Sequence, residues 1–253
     1  MENKFVIITP CYNVENWVGY SINSVKQQSY SNFTAIYGYD KSQDKTRDEI
    51  KKHIEGDKRL ILFDNPTQES QINNYFGCLN YLKANNLVSD EDIIVEIDAD
   101  DWLLHPFVFK HLNNIYQNPE IWMTYGQYIE YPQGKMGGHS QLYLNDEVDK
   151  NNDYRNSIFP YSHLKTYKFH LIDKVKKSHI TDPRTGKYFN ITADFAMCMP
   201  MVEMAGKNRI YRIDDPVYVY NLANDNSEST KLLSHQKETE KIIRQLPPCK
   251  RIK

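Results

Sequence analysis

The sequence lacks three features that would each indicate a whole class of protein: an excess of charge, a long apolar run and paired cysteines. Its 31 basic and 33 acidic residues leave a net charge of −2, so no overall field attracts nucleic acid or an anionic membrane. No apolar run approaches the roughly 18 residues of a membrane span, and the one near the N-terminus is too short for a signal peptide. The four cysteines, at positions 11, 78, 198 and 249, form no CxxC pair and predict neither a disulfide framework nor a thiolate metal site. These absences predict a soluble, cytoplasmic protein that does not bind nucleic acid.

What the sequence does contain is a short apolar run that ends in a cluster of carboxylates. Residues 92–97 are rich in Ile and Val, which predicts a buried strand, and Asp98, Asp100 and Asp101 follow at once. Side chains two apart in an extended chain share a face, so Asp98 and Asp100 are predicted to point the same way. Two carboxylates repel by roughly 4 kcal/mol at about 4 Å and an effective dielectric near 20. A site that keeps both ionised usually holds Mg²⁺ or Mn²⁺ between them; the alternative is a solvated acidic turn.

Strand and helix patterns alternate along the N-terminal part of the chain. Strands are predicted at 5–9, 33–39, 59–63 and 92–97, and helices from 14, over 46–54 and over 68–82. Parallel βαβ units with right-handed crossovers predict an α/β fold whose doubly wound central sheet is mainly parallel and flanked by helices. In such sheets ligands bind beyond the carboxyl ends of the strands. Polar clusters follow each of these strands, at 9–13, 40–44, 64–65 and 98–101, although loops are polar in any case.

The second half of the chain has a less regular pattern. Alternation over 122–131 predicts a long strand, and the stretch 132–160 is either a substrate-binding lid or a floppy insertion. Residues 162–168 predict the start of an amphipathic helix whose cations form either a solvated face or an anion site. A strongly apolar helix is predicted over 195–205, with Thr192 as its N-cap and its methionines in the core. Short strands, a polar loop and a last helix are predicted at 209–213, 217–222, 224–230 and 232–245.

Three motifs follow one another along the chain in an informative order. They are Thr9-Pro10-Cys11-Tyr12-Asn13, Asp98-Ala99-Asp100-Asp101-Trp102-Leu103, and Ala193-Asp194-Phe195-Ala196 ahead of Pro200-Met201-Val202-Glu203-Met204-Ala205-Gly206. Their order and spacing resemble family 2 glycosyltransferases of the GT-A (Rossmann-like) fold, over roughly residues 3–225. The resemblance implies a GT-A domain over residues 1–225 and a helical tail over 226–253 that packs on the same domain.

The resemblance also implies roles for individual residues. Those implied to hold the base and ribose of a nucleotide-sugar are Thr9, Tyr12, Glu15 and Asp40. Asp98 would lie near the sugar or ribose, Asp100 would bind the Mn²⁺ or Mg²⁺ that bridges the diphosphate, and Asp194 would be the catalytic base. Candidates for additional cations near the phosphates are His163, Lys165, Lys168 and His235.

The implied reaction is a single, inverting transfer. The donor would be a nucleotide-sugar, and the family resemblance implies UDP as its nucleotide. The acceptor would be a hydroxyl of a glycan or glycoconjugate. The Gln-x-x-Arg-Trp signature of processive synthases is absent, so one sugar would be added per encounter. Two stretches depart from the family pattern: Tyr39-Asp40-Lys41-Ser42 stands where two acids and a glycine are common, and Gln71-Ile72-Asn73-Asn74 replaces a small residue and an Arg.

Two other functions remain open from the residues alone. A nucleotidyltransferase also uses strand-end carboxylates with Mg²⁺, but it usually holds its triphosphate with a Gly-rich, basic loop after the first strand. Residues 9–13 contain neither glycine nor a cation, which argues against that class. A non-catalytic glycan- or nucleotide-binding relative is the second alternative, and the presence of both Asp100 and Asp194 argues against it.

Overall fold

A nine-stranded sheet runs through the computed structural model, which describes residues 2–65, 70–138, 140, 145–224 and 233–252. The strands are β1 (Phe5–Cys11), β2 (Phe33–Tyr39), β3 (Leu60–Asp64), β4 (Ile93–Glu96), β5 (Trp102–Leu103), β6 (Met123–Tyr131), β7 (Lys135–Met136), β8 (Thr166–Lys168) and β9 (Ile210–Asn221). The helices are α1 (Val18–Lys26), α2 (Thr46–Ile54), α3 (Gln71–Ala84), α4 (Val108–Ile115), α5 (Asp146–Asn151), α6 (Phe169–Asp173), α7 (Ala193–Ala205) and α8 (Leu233–Gln245). Across the sheet the order is β3-β2-β1-β4-β8-β6-β9-β5, and β7 pairs with β6.

The N-terminal half of the sheet is parallel, as the alternation of strands and helices predicted. β1 pairs with β2 on one side and with β4 on the other, and β3 pairs with β2. Alternate residues point to opposite faces: Val6 and Ile8 join one core cluster, whereas Phe5 and Ile7 join the other. Helices α3 and α7 cover the first face, and α1 and α4 cover the second. Because both faces are buried, these strands are apolar runs rather than alternating ones.

Strand β8 lies antiparallel between β4 and β6, which corrects the prediction of a helix over 162–168. Thr166 and Tyr167 pair with strands on both sides and are buried. The hydroxyl of Thr166 hydrogen-bonds to Thr124 Oγ1 at 2.6 Å and to Tyr116 Oη at 2.7 Å. These long-range pairings override the local helical spacing, and α6 begins only after the strand ends.

The loop after β1 is tied to the loop after β2 before α1 begins. Helix α1 starts at Val18, four residues later than predicted, because Asn13 adopts a left-handed backbone with φ of 51°. Asn13 Oδ1 accepts a hydrogen bond from Gln43 N at 2.8 Å. The side chain of Asn13 therefore connects the ends of two strands.

The C-terminal half contains one long strand where two were predicted. β9 runs without a break through both 209–213 and 217–222, with a register shift against β6. Within 132–160, the described residues include β7 and α5, and the lid role of this stretch stays a prediction. The loop predicted over 224–230 lies outside the described residues beyond its first position. None of the helices in the described ranges is long and apolar enough to cross a bilayer.

The C-terminal residues pack on α7 around a buried ion pair. Arg155 and Glu203 are both buried, and Arg155 Nη2 lies 3.0 Å from Glu203 Oε2. Arg155 also donates to the carbonyl oxygen of Ile243 in α8, and the backbone N–H of Cys249 donates to Glu203 Oε2 at 2.8 Å. One ion pair thus holds two points of the tail against the helix that carries Asp194.

Candidate active site

The residues after β4 form a tight turn rather than an extended strand. β4 ends at Glu96, and Asp101 N donates to the carbonyl oxygen of Asp98 at 3.0 Å. The turn brings together residues three apart, so carboxylate oxygens of Asp98 and Asp101 lie within 4.8 Å of each other. Strand spacing had predicted that Asp98 and Asp100 would share a face.

Asp101 is the most buried acid of this turn, with 1% of its surface exposed. Its Oδ1 accepts a hydrogen bond from Asn221 N at 2.7 Å, and Tyr218 also hydrogen-bonds to the carboxylate. Its Oδ2 is buried and has no partner of good hydrogen-bond geometry among the described residues. Burial, and then the charges of Asp100 and Asp98, raise the pKa of Asp101 well above its ordinary value. A buried carboxylate oxygen without a donor is costly, and a cation at this oxygen would remove that cost.

His163 completes a group of three candidate metal ligands. One of its ring nitrogens and one carboxylate oxygen each from Asp98 and Asp101 lie within 4.8 Å of one another. The ring stacks on Tyr218, with centroids 5.1 Å apart and an interplanar angle of 8°, which fixes its orientation. Burial, followed by the charge of Lys165, lowers the pKa of His163 to about 3, so the imidazole is neutral and keeps a lone pair for a metal.

These three side chains fit a divalent cation. Carboxylate oxygens suit Mg²⁺ and Mn²⁺, and imidazole is a ligand for transition metals. Burial raises the pKa of Asp98 to about 7, although the charge of Lys165 opposes the shift. A divalent cation would lower that pKa by stabilising the ionised form. The sequence suggested His163 only as an extra cation near the phosphates, whereas its lowered pKa and its place beside Asp98 and Asp101 make it a candidate ligand.

Asp100, the predicted metal ligand, faces the segment that follows β9. Its Oδ2 accepts a hydrogen bond from Asn224 Nδ2 at 2.8 Å, and its carbonyl oxygen accepts one from Asn221 Nδ2 at 3.0 Å. Among the described residues, the grouped ligand atoms come from Asp98, Asp101 and His163. A metal role for Asp100 therefore stays a prediction, and Asp101 is the ligand candidate that strand spacing missed.

The residues predicted to hold the base and ribose follow the neighbouring strands β1 and β2. Thr9 is buried, and its Oγ1 has no hydrogen-bond partner among the described residues. Asp40 is also buried, and its N–H donates across to the end of β1 at 3.0 Å. Tyr12 is exposed, and Glu15 Oε2 accepts a hydrogen bond from Lys45 N at 2.8 Å. The structure brings these residues to one edge of the sheet, and their roles stay predictions.

A cavity of about 250 Å³ opens beside Glu15. Its other lining residues are Asn13, Val14, Asn16, Trp17, Gln43, Asp44 and Asn224. Asn224 also donates to Asp100, so the cavity adjoins the acidic turn. A ligand bound here would lie between the ends of β1 and β2 and the segment after β9.

A narrow cleft joins Asp194 to the acidic turn. It is lined by Asp194, Asp98 and His163, together with Ile8, Pro10, Gln71, Tyr75, Glu96, Ile97, Lys165 and Met197. Asp194 lies in the first turn of α7, as predicted, with 51% of its side chain exposed. Lys165 Nζ lies 3.4 Å from Asp194 Oδ2. Desolvation in the cleft opposes ionisation, but the charge of Lys165 and smaller contributions from His163, the Phe195 N–H and the Lys165 hydrogen bond together hold the pKa of Asp194 below its ordinary value.

Two of the suggested phosphate-binding cations lie away from this cleft. Lys168 Nζ donates to Glu91 Oε2 at 2.8 Å and to the carbonyl oxygen of Pro119 at 3.2 Å. His235 is exposed on α8. Neither residue lines the cleft.

Comparison with known sequences places this architecture among glycosyltransferases. The sequence model of glycosyl transferase family 2 matches residues 6–176. An uncharacterized glycosyltransferase of Haemophilus influenzae is 34% identical over 125 residues, which are 48% of this chain and 46% of the relative. Glycosyltransferase GlyA of Streptococcus pneumoniae is 26% identical over 108 residues, 43% of this chain and 14% of the relative. The chain thus spans less than half the length of each of these relatives.

Solved structures share the fold at low sequence identity. TarS residues 1–349 of S. aureus, in complex with UDP-GlcNAc, has a TM-score of 0.65 at 16% identity and covers 90% of this chain and 61% of its own. Mannosyltransferase PcManGT of Pyrobaculum calidifontis, in complex with GDP-Man and Mn²⁺, has a TM-score of 0.61 at 16% identity. The match covers 98% of this chain and 66% of PcManGT. Glucosyl-3-phosphoglycerate synthase of Mycobacterium tuberculosis, with Mn²⁺, UDP and glucosyl-3-phosphoglycerate, has a TM-score of 0.61 at 15% identity. The match covers 96% of this chain and 80% of the synthase. The predicted GT-A fold is confirmed, and the chain belongs to glycosyl transferase family 2.

Proposed function

We propose that this protein is a metal-dependent, non-processive glycosyltransferase that moves one sugar from a nucleotide-sugar to an acceptor hydroxyl with inversion. One observation carries the proposal: Asp98 and His163, two candidate metal ligands, line the same cleft as the ionised Asp194. Because both groups face one cleft, a donor whose diphosphate lies at the acidic turn can present its sugar to Asp194.

A UDP-sugar is the proposed donor, and a glycan or glycoconjugate hydroxyl is the proposed acceptor. UDP or UDP-GlcNAc is bound in two of the similar structures, whereas the third binds GDP-Man. The proposed contacts to base and ribose are Thr9, Tyr12, Glu15 and Asp40. Glu15 lines the cavity of about 250 Å³ at the ends of β1 and β2, which supports this assignment.

Asp98, Asp101 and His163 would hold Mn²⁺ or Mg²⁺, with Asp100 as the adjacent ligand that family resemblance implies. When bound, the cation would supply Lewis-acid stabilisation of the negative charge on the departing diphosphate. The carboxylates of Asp98 and Asp101 and the stacked imidazole of His163 would hold the cation.

Asp194 acts as the general base in this proposal. It accepts the proton of the acceptor hydroxyl while the hydroxyl oxygen forms a bond to the anomeric carbon. The bond from that carbon to the phosphate oxygen breaks on the opposite face, and its electron pair leaves with the nucleoside diphosphate. A single displacement of this kind inverts the anomeric configuration. The lowered pKa of Asp194 keeps the base ionised at neutral pH.

The domain and the compartment follow as further parts of the proposal. We assign the tail over residues 226–253 to the same domain as residues 1–225, because Arg155 and Glu203 contact Ile243 and Cys249 in its described part. A cytoplasmic location is supported by the cysteines, which are all free thiols, as is usual in a reducing compartment.

Hydrolysis of nucleotide-sugars tests the proposed function. The protein is incubated with UDP-glucose, UDP-GlcNAc or GDP-mannose and Mn²⁺, with and without EDTA. Release of nucleoside diphosphate that EDTA abolishes would support a metal-dependent transferase, and release that EDTA leaves unchanged would contradict the metal requirement. Pyrophosphate release from UTP and a sugar 1-phosphate would indicate a nucleotidyltransferase, and binding without turnover would indicate a non-catalytic relative.

A further inference from the structure

Lys165 is a buried cation in the wall of the cleft, and the mechanism proposed above gives it no role. Its side chain is 3% exposed, and Nζ lies 3.4 Å from Asp194 Oδ2 and 4.0 Å from Glu96 Oε2. A buried ammonium is costly unless it is paired, and here it faces two carboxylates. Because it is enclosed by these acids, Lys165 lacks the open surface that the suggested contact to phosphates would need.

Glu96 is itself held in place from the core. Tyr167 Oη donates to Glu96 Oε1, and Tyr75 Oη lies 2.6 Å from Tyr167 Oη. The backbone N–H of Glu96 donates to the carbonyl oxygen of Lys165 at 3.2 Å. A continuous series of contacts therefore runs from α3 through β8 and β4 to Lys165, and it ends at the half-exposed carboxylate of Asp194.

We infer that Lys165 is a positioning residue that holds the Asp194 carboxylate through Oδ2, with Glu96 as the counter-ion that remains when Asp194 takes up a proton. This inference rests on the proposed function. An ammonium paired with Asp194 alone would oppose protonation of that carboxylate, because protonation would leave a buried cation without a partner. With Glu96 on its other side, Lys165 stays paired while the proton moves from the acceptor hydroxyl to Asp194.

The test uses Lys165→Met, which removes the charge, and Lys165→Arg, which keeps it. Lys168→Met is the matched control, because Lys168 lies three residues further along, on β8, is similarly buried and pairs with Glu91 outside the cleft. The rate of nucleoside diphosphate release from the best nucleotide-sugar with Mn²⁺ gives kcat and KM, and calorimetry gives the affinity for UDP with Mn²⁺. We expect Lys165→Met to lower kcat about 100-fold, the scale of general-base catalysis, while KM and UDP affinity stay near wild type. Lys165→Arg should recover part of the loss, and Lys168→Met should match the wild type.

A double-mutant cycle shows whether Lys165 acts through Asp194. If it does, adding Lys165→Met to Asp194→Asn should lower kcat no further, because the two residues work as one unit. Multiplicative losses in the double variant would overturn the inference. So would a Lys165→Met variant that binds UDP weakly at unchanged kcat, since that result would assign Lys165 to the phosphates.

The outcomes separate this inference from the function on which it rests. A wild-type protein that releases no nucleoside diphosphate overturns both. A wild-type protein that is active, with an inactive Asp194→Asn and a fully active Lys165→Met, overturns only the role of Lys165. Should Lys165→Met fail to fold by circular dichroism, Lys165→Gln, which also removes the charge, replaces it: a lower kcat at unchanged KM supports the inference, and an unchanged kcat overturns it.

Discussion

At the scale of single residues, the acidity of each carboxylate near the cleft depends on which neighbour it faces. Asp194 faces Lys165 at 3.4 Å, and its pKa is held below the ordinary value despite desolvation. Asp101 lies among other acids in a buried turn, and its pKa is raised by burial and by their charges. The first environment suits a group that must be ionised to accept a proton, and the second suits a group that binds a cation.

Replacing Asp194 with Asn should abolish transfer and leave donor binding intact. The amide cannot accept the proton of the acceptor, so the rate should fall about 10²- to 10⁴-fold. Nucleoside diphosphate release measures the rate, and calorimetry with UDP and Mn²⁺ measures binding. Asp173→Asn is the control, because Asp173 is a surface acid paired with Lys83. A loss of UDP affinity at an unchanged rate would remove Asp194 from the role of base.

Asp101→Asn and Asp100→Asn distinguish the two candidate metal ligands. The grouping of Asp101 with Asp98 and His163 predicts that Asp101→Asn weakens Mn²⁺ binding about tenfold or more, a loss that changes in residues hydrogen-bonded to the ligands can already cause. Asp100→Asn should have the smaller effect, because its carboxylate already accepts a hydrogen bond from Asn224. Electron paramagnetic resonance of free Mn²⁺ measures the Mn²⁺ affinity of each variant. The reverse ranking would assign the metal to Asp100, as family resemblance implies.

At the scale of elements, α7 is a core helix whose exposed residue is the proposed base. Of its thirteen residues, twelve are buried, including all four of its methionines. It is covered by the sheet on one side and contacts the C-terminal tail through Glu203. The position of Asp194 therefore depends on how firmly α7 is held.

Glu203→Gln should destabilise the protein strongly, because it leaves Arg155 buried without a counter-charge. The expected loss is about 3–5 kcal/mol of unfolding free energy, read from urea denaturation. Glu49→Gln, which breaks an exposed pair with Lys52, is the control and should change little. Replacing both Arg155 and Glu203 with Met should recover much of the loss. A Glu203→Gln protein as stable as the control would show that the tail is held by other contacts.

At the scale of the whole molecule, Asp149 joins segments that are distant in sequence. It lies in α5, and its Oδ1 accepts hydrogen bonds from Lys207 N and Arg251 Nη2, both at 2.7 Å, and from Tyr154 Oη. Burial opposes ionisation of Asp149, but these hydrogen bonds and the charge of Arg251 outweigh it and lower its pKa. The native state therefore binds this proton less readily than the unfolded state.

This shift predicts how stability changes in acid. A carboxyl whose pKa is lowered by folding stabilises the native state fully when the pH is above the unfolded pKa, near 4. That stabilisation is lost as the pH falls towards the folded pKa. The wild type should therefore lose more unfolding free energy between about pH 5 and pH 2.5 than Asp149→Asn. Urea titrations across this range measure the difference. Parallel curves for the two proteins would contradict the role of Asp149.

Local sequence pattern determined the elements whose stabilising contacts are close in sequence or repeat with a strong period. β2 and α2 have the predicted bounds, 33–39 and 46–54, and α7 ends at Ala205 as predicted. The polar residues at the ends of β1, β2 and β4 were visible as interruptions of apolar runs, because a parallel strand buried on both faces tolerates few polar side chains. Asp98 was found in this way, whereas Asp194 was found through the family motif.

Only the tertiary structure decided what depends on contacts between distant segments. Residues 166–168 form a strand because β4 and β6 lie on either side of them, although their spacing favours a helix. Asp101 joins Asp98 because the chain turns after Glu96, where the two-residue period of a strand no longer applies. His163 reaches them by stacking on Tyr218, 55 positions along the chain, and Lys165 meets Glu96 and Asp194 across three elements. Sequence determined which side chains were available, and the packing of β4, β8, β9 and α7 decided which of them meet.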